Sequence, residues 1–209
     1  MSRQPSNPAF LPYSLYRKVV HLADGRPMVL RLVNPLDEEA LSRLLREAPA
    51  GELRFLKAEI PKSRLVQDWL DRLNYRRILP LAAVDLSTHQ MVGLALLVRG
   101  RQALTAVGEI EIFVAAPCQN QGLGSLLLEE IITLAAQEGL HWLKAKVATD
   151  NCPAIQAFLT RGFDLTAVLG NYFGDPNGVT RDAVLLLSSL LPPRPRSSGP
   201  GDARETVIF

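Results

Sequence analysis

Two glutamates, two glutamines and two glycines within one short stretch offer the clearest chemistry in this chain. Glu109 and Glu111 lie two residues apart in residues 107–115, where alternation sets Glu109, Glu111 and Phe113 on one side and Ile110, Ile112 and Val114 on the other. Two carboxylates on one strand face can take a proton from a nucleophile. Partial burial and like-charge repulsion would raise the proton affinity of Glu109. Ala116, Pro117 and Cys118 then break the strand, since proline has no N–H for a ladder. Gln119-Asn120-Gln121-Gly122-Leu123-Gly124-Ser125 follows and opens a helix. A glycine turn at a helix start leaves several backbone N–H groups unpaired at the positive end of the dipole, a ready site for a phosphate. Proton transfer beside a phosphate-bearing ligand is therefore the chemistry to test.

The kind of phosphate site follows from the glycine spacing. A dinucleotide turn needs G-x-G-x-x-G; Gly122 and Gly124 fit, but Leu127 stands at the third position. A Walker A run, G-x-x-x-x-G-K-[ST], is absent from the chain. Gln119, Gly122 and Gly124 form Q-x-x-G-x-G, which resembles the acyl-CoA pyrophosphate loop, [QR]-x-x-G-x-[GA], of the GNAT superfamily of N-acetyltransferases. The plain alternative is a tight turn between strand and helix. A second stretch is similar to the other GNAT signature, N-x-x-A-x-x-x-Y-x-x-x-G-F: Asn151, Ala154, Gly162 and Phe163 match, while Phe158 replaces the usual tyrosine.

The resemblance implies an acetyl-CoA-dependent N-acetyltransferase in which a primary amine attacks the thioester directly within a ternary complex. It implies that Phe113 and Val114 pair with the pantetheine arm. Gln119 and the N–H groups of Gln121, Gly122, Leu123, Gly124 and Ser125 would hold the pyrophosphate. Asn151 would stand near the arm or simply cap a helix, and one side chain can do both. Phe158 falls at the cofactor but cannot donate a proton; Tyr172 is the nearest tyrosine that can, with water as the simpler donor. Glu109 stands ten residues before Gln119, where the resembling enzymes often carry a catalytic glutamate, and Glu111 lies closer to the cofactor arm. A narrower resemblance is to the domain of Pat-type protein lysine acetyltransferases, so the acceptor is a protein lysine or a small-molecule amine. A reading of another class stays open: a GNAT-fold module that binds acyl-CoA without turning it over.

These residues need a scaffold, and the remaining pattern supplies one. Residues 17–23 and 28–33 alternate as two strands about Asp24-Gly25, a strong hairpin signal. Asp37 is placed to cap a helix through residue 48, and residues 62–74 carry the stripe of a second. Phe55, Trp69 and Tyr75 could line an acceptor pocket, although Trp69 among leucines also suits a core. Strands are expected at 78–86 and 91–99, rich enough in Leu, Val and Ala to be covered on both faces. The helix from Leu123 stops near Gly139, a strand runs over 141–148, and a helix capped at Asp150 or Asn151 ends at Gly162. Strands at 163–169 and 181–188 flank a loop at 170–180. The expected fold is α/β: a GNAT-like mixed, mostly antiparallel central sheet flanked by helices, with an extra N-terminal strand.

Composition sets limits. A chain of 209 residues, 47% hydrophobic and 21% charged, suits one domain with a sizeable core, placed at 16–191. Residues 1–15 and the Pro/Gly/Ser-rich stretch 192–209 are expected to be disordered. Residues 1–77 carry a balance of +5 and the rest −3, but no basic run has interleaved aromatics, which argues against nucleic acid and for solvated helix faces. No segment is apolar enough for a membrane or a secretory signal, so the expected location is cytoplasmic. Cys118 and Cys152 form no disulfide framework, and His21, His89 and His141 are isolated, so no metal is expected. A homodimer is left open.

Overall fold

The computed structural model describes residues 15–48, 66–71, 73–100, 106–174 and 178–191. The stretches expected to be disordered lie almost wholly outside these residues, and so does Phe55. Eight strands form one sheet in the order β1-β2-β3-β4-β5-β6-β8-β7. They are β1 (Arg17–His21), β2 (Pro27–Leu32), β3 (Ile78–Asp85), β4 (Met91–Arg99), β5 (Val107–Val114), β6 (Trp142–Ala148), β7 (Asp164–Gly174) and β8 (Thr180–Ser189). Every neighbouring pair is antiparallel except β5 and β6, which run parallel. The four described helices are α1 (Glu38–Glu47), α2 (Val66–Asp71), α3 (Leu123–Gln137) and α4 (Cys152–Leu159).

The sheet buries both faces. On one, Leu123, Leu127, Ile131 and Leu134 of α3 and Phe158 of α4 pack on Leu30, Leu81, Ala95, Leu97 and Ile110. On the other, Leu41, Leu44 and Leu45 of α1 and Leu70 of α2 meet Leu94, Leu96 and Phe113. β3 is buried at every position, as a strand covered on both faces must be. Each of these leucines, fully buried, contributes about 1.5–3 kcal/mol. Gly93 lets α3 approach β4 closely: a Cβ there would lie 3.1 Å from Leu127 Cδ1 and 3.3 Å from Leu123 Cδ2. The N-terminal hairpin is tied to α3 by Glu130, only 4% exposed, which accepts hydrogen bonds from the Tyr16 hydroxyl and the Lys18 ammonium. Burial pushes the Glu130 carboxyl above the usual glutamate value.

Two local expectations need correction. Asp37 makes no side-chain cap on α1; Asn34 caps a short 3-10 turn at Pro35–Asp37 that leads into the helix, in a reciprocal capping box with Asp37. Asp37 is instead held by Arg31 through two hydrogen bonds of 2.7 and 2.6 Å. The second correction concerns residues 170–174, which belong to β7 rather than to a loop. The β7–β8 register shifts between Leu169 and Phe173, and Asn171 in this bulge has φ 52°. The Asn171 N–H donates to Asp182 Oδ1 at 2.8 Å, replacing a ladder bond with a side chain.

Candidate active site

The site forms where the two parallel strands part. β5 and β6 are paired only over Val107–Ile110 and Trp142–Ala145, yet β5 runs on to Val114 and β6 to Ala148. The other edges stay paired throughout: Gly93 opposes Val114 on one side, and Ala148 opposes Ala183 on the other. The Ala115 N–H donates to Val92 O at 2.9 Å, so odd-numbered β5 residues turn their backbone groups to β4. Phe113 therefore bonds β4, and Ile112 and Val114 face the opening. Of the two residues expected to meet a pantetheine arm, Val114 has the suited backbone; Phe113 buries its side chain in the α1 face of the core.

The glycine turn closes the end of this opening. A 3-10 turn at Ala116–Cys118 follows β5, and Gly122, in the left-handed conformation with φ 86°, is the N-cap of α3. Only glycine takes that conformation without strain. No side chain caps α3, so its first-turn N–H groups at Leu123, Gly124 and Ser125 project from an uncapped N-terminus. A Cβ on Gly122 would meet nothing within 4 Å, and one on Gly124 would lie 3.8 Å from Val114 Cγ2. There is thus open space before the helix end, beside the last residue of β5, which suits a diphosphate. Gln119 lies at the same junction, where its Nε2 donates to Val114 O at 3.0 Å. The Gln121 side chain turns away, donating to Pro117 O at 3.3 Å and accepting from Arg26.

Glu109 and Glu111 share the sheet face of α1 and α2, as alternation required. Glu109 does not have the raised proton affinity expected of it. Lys146 Nζ lies 2.5 Å from its Oε1 and Lys144 Nζ 2.9 Å from its Oε2. Burial pushes the Glu109 carboxyl up, but the hydrogen bonds and charges of the two lysines outweigh it and hold it below the usual glutamate value. Burial likewise pushes the Lys146 ammonium down, while Glu109 and Tyr172 hold it above the usual lysine value. Lys146 Nζ also sits 5.1 Å from the centroid of the Tyr172 ring. The β7 bulge therefore brings Tyr172 to the same face as the carboxylates. Glu111 is the first β5 residue beyond the end of the β5–β6 ladder.

The other expected site residues have packing or capping contacts of their own. Asn151 is the N-cap of α4, its side chain accepting from Ala154 N at 3.2 Å. Phe158 lies in the core, 6% exposed, edge-to-face with Phe163 at 4.9 Å. Tyr75 is half-buried and donates to Val33 O at 2.7 Å, and Trp69 packs partly buried against the α1 face of the core. Lys144, Lys146 and Arg26 were missed; for the lysines, the alternation in WLKAKVA already set both on one face. Among the described residues no three His, Cys, Asp or Glu side chains are grouped to hold a metal, and no helix is long and apolar enough to cross a membrane.

Comparison with known proteins bears on the family and the fold. Residues 41–163 match the model of the acetyltransferase (GNAT) family, and the chain belongs to that family. It is 33% identical over 64 residues to a protein of Bacillus subtilis (strain 168) named "Putative phosphinothricin acetyltransferase YwnH"; the match covers 31% of this chain and 39% of that relative. The GNAT domain of PAT from S. lividans shares the fold at TM-score 0.66 and 22% identity, over 83% of this chain and 97% of that one. Mycobacterium smegmatis RimJ, solved in complex with CoA-disulfide, shares it at TM-score 0.62 and 18% identity, over 83% and 87%.

Proposed function

We propose that the protein is an acetyl-CoA-dependent N-acetyltransferase, acting in the cytoplasm on a primary amine of a small molecule or a protein lysine. The observation that carries this reading is the parting of β5 and β6 beside an uncapped helix N-terminus. A pantetheine arm is an extended chain with two amides, and it would fit between two strands whose ladder has ended. Ile112 and Val114 would pair with it, the Gln119 amide giving up the Val114 carbonyl. The N–H groups of Leu123, Gly124 and Ser125 would take the pyrophosphate.

The amine would approach from the face that carries the carboxylates. Its nitrogen attacks the thioester carbonyl, the C–S bond breaks, and CoA leaves as a thiolate that takes up a proton. The amine proton needs an acceptor. Held between two ammonium groups, Glu109 is a weak base, so we assign proton removal to Glu111, directly or through a water, and give Glu109 the task of fixing Lys144 and Lys146. Lys146 and Tyr172 lie on the face where the thiolate would emerge.

Phe158 in the core supplies no hydroxyl, which favours the non-catalytic acyl-CoA module as the second reading. Thiol release from acetyl-CoA, measured with a panel of small amines and lysine peptides, separates the two. Amine-dependent release supports the enzyme. Saturable acetyl-CoA binding without release for any acceptor supports the module.

A further inference from the structure

We propose that Arg26 is a positioning residue for the cofactor loop, bracing Gln121 from the β1–β2 turn. This rests on the acyl-CoA reading above and adds a residue from a part of the chain that reading does not use. Arg26 follows the Asp24-Gly25 turn and spreads its guanidinium over four groups. Its Nε donates to Asp24 Oδ2 at 2.7 Å, its Nη1 to Cys118 Sγ at 3.7 Å, and its Nη2 to Gln121 Oε1. Nη1 also lies 3.9 Å from Asp85 Oδ2. Asp85 is 4% exposed, and its Oδ1 accepts from the N–H groups of Ser87 and Thr88 at 2.7 and 3.1 Å. The brace therefore starts from a fixed point at the end of β3.

Its other end is the glycine turn. The Gln121 carbonyl accepts from Ala23 N at 3.2 Å, and its amide nitrogen donates to Pro117 O. Gln121 is thus held by carbonyl, amide oxygen and amide nitrogen. The residues on either side of it, Asn120 with φ 57° and Gly122 with φ 86°, are both left-handed. For Asn120, which carries a Cβ, that conformation is sparsely populated and needs its surroundings to maintain it. The hairpin contacts to Gln121 do so, keeping the turn in the shape that presents the α3 N–H groups before a ligand arrives. Preorganisation of this kind removes an ordering cost from binding. The planar fork is essential, because a lysine ammonium cannot span Asp24, Cys118 and Gln121 together.

The test is a calorimetric titration of acetyl-CoA into the full chain and into Arg26→Lys, Gln121→Ala and the double variant, with steady-state kinetics alongside. Arg26→Lys keeps the charge and removes the fork. We expect each single change to weaken acetyl-CoA binding about tenfold and to leave kcat at saturating acetyl-CoA within about twofold. The double variant should be no weaker than either single one, because both changes break the same brace. Parent-like binding by both single variants, or losses that multiply to about a hundredfold in the double, would overturn the proposal; the latter means Arg26 acts on the ligand directly. If Arg26→Lys does not fold, as judged by circular dichroism, Gln121→Ala decides alone: a tenfold loss supports the brace and parent-like binding overturns it. Failure of the parent itself to bind acetyl-CoA would instead refute the acyl-CoA reading, and this one with it.

Discussion

Lys146 and Glu109 meet across β5 and β6 with Nζ 2.5 Å from Oε1, and Lys144 closes on the other carboxylate oxygen at 2.9 Å. Against the opposing effect of burial, the two ammonium groups hold this carboxyl below the usual glutamate value. A carboxylate held this way is a poor proton acceptor, which is the ground on which we propose Glu111 rather than Glu109 as the base.

The pairing has a pH signature in stability. The Glu109 value is depressed, so its contribution is present above the ordinary glutamate value, about pH 4.3, and is lost as pH falls through its lower folded value. The Lys146 value is raised, so its contribution is full below about pH 10.4 and is lost as pH rises through its higher folded value. Glu109→Gln should therefore lower Tm by about 2–6 °C between pH 5 and 9, from a half-buried pair worth about 1–2 kcal/mol. The gap from the parent should narrow below pH 4. Melting curves across pH check this; a gap that is constant down to pH 2 would mean that the pair does not form.

Catalysis should divide the glutamates the other way. Glu111→Gln is expected to lower kcat by roughly a hundredfold, the usual range for loss of a general base, and to flatten the rising limb of the pH–rate profile. Glu109→Gln should cost less than about tenfold, and neither change should alter acetyl-CoA affinity. Kinetics on the two variants decide it; a larger loss in Glu109→Gln would return the base to Glu109.

Tyr172 faces Lys146 but is not assigned the proton donor's role while water can supply the leaving thiolate. Tyr172→Phe should lower turnover less than tenfold, a loss below about 1.4 kcal/mol of transition-state stabilisation. A fall of several hundredfold would identify its hydroxyl as the acid.

The parts of this site legible in the sequence were those written in local chemistry. Pro117 ended a strand, Gly122 opened a helix and Gly139 ended it, each with its own backbone reason, and all three stand as read. What was not legible depended on pairing between distant segments. Residues 170–180 read as a loop because they are rich in Gly, Asn and Asp; what keeps 170–174 in β7 is pairing with β8, with the Asp182 side chain, eleven residues away, taking the Asn171 N–H. Glu109 read as a base of raised proton affinity because nothing local says that Lys144 and Lys146 lie alongside it; that requires the parallel register of β5 on β6. Arg26 was hidden for the same reason, since its reach to Gln121 spans 95 positions.

The most direct test of the account is acetyl-CoA binding at the glycine turn. Gly124 suits the purpose better than Gly122: it lies in the first turn of α3 without a positive φ, and its Cβ position is 3.8 Å from Val114 Cγ2, so a side chain fits without backbone strain. Gly124→Glu places a carboxylate where the dipole of α3 favours it but where a pyrophosphate would be repelled. Calorimetric titration of acetyl-CoA should show saturable binding to the parent and a loss of at least a hundredfold in Gly124→Glu, at an unchanged or higher Tm in the absence of ligand. Equal binding by the two folded proteins would contradict the account.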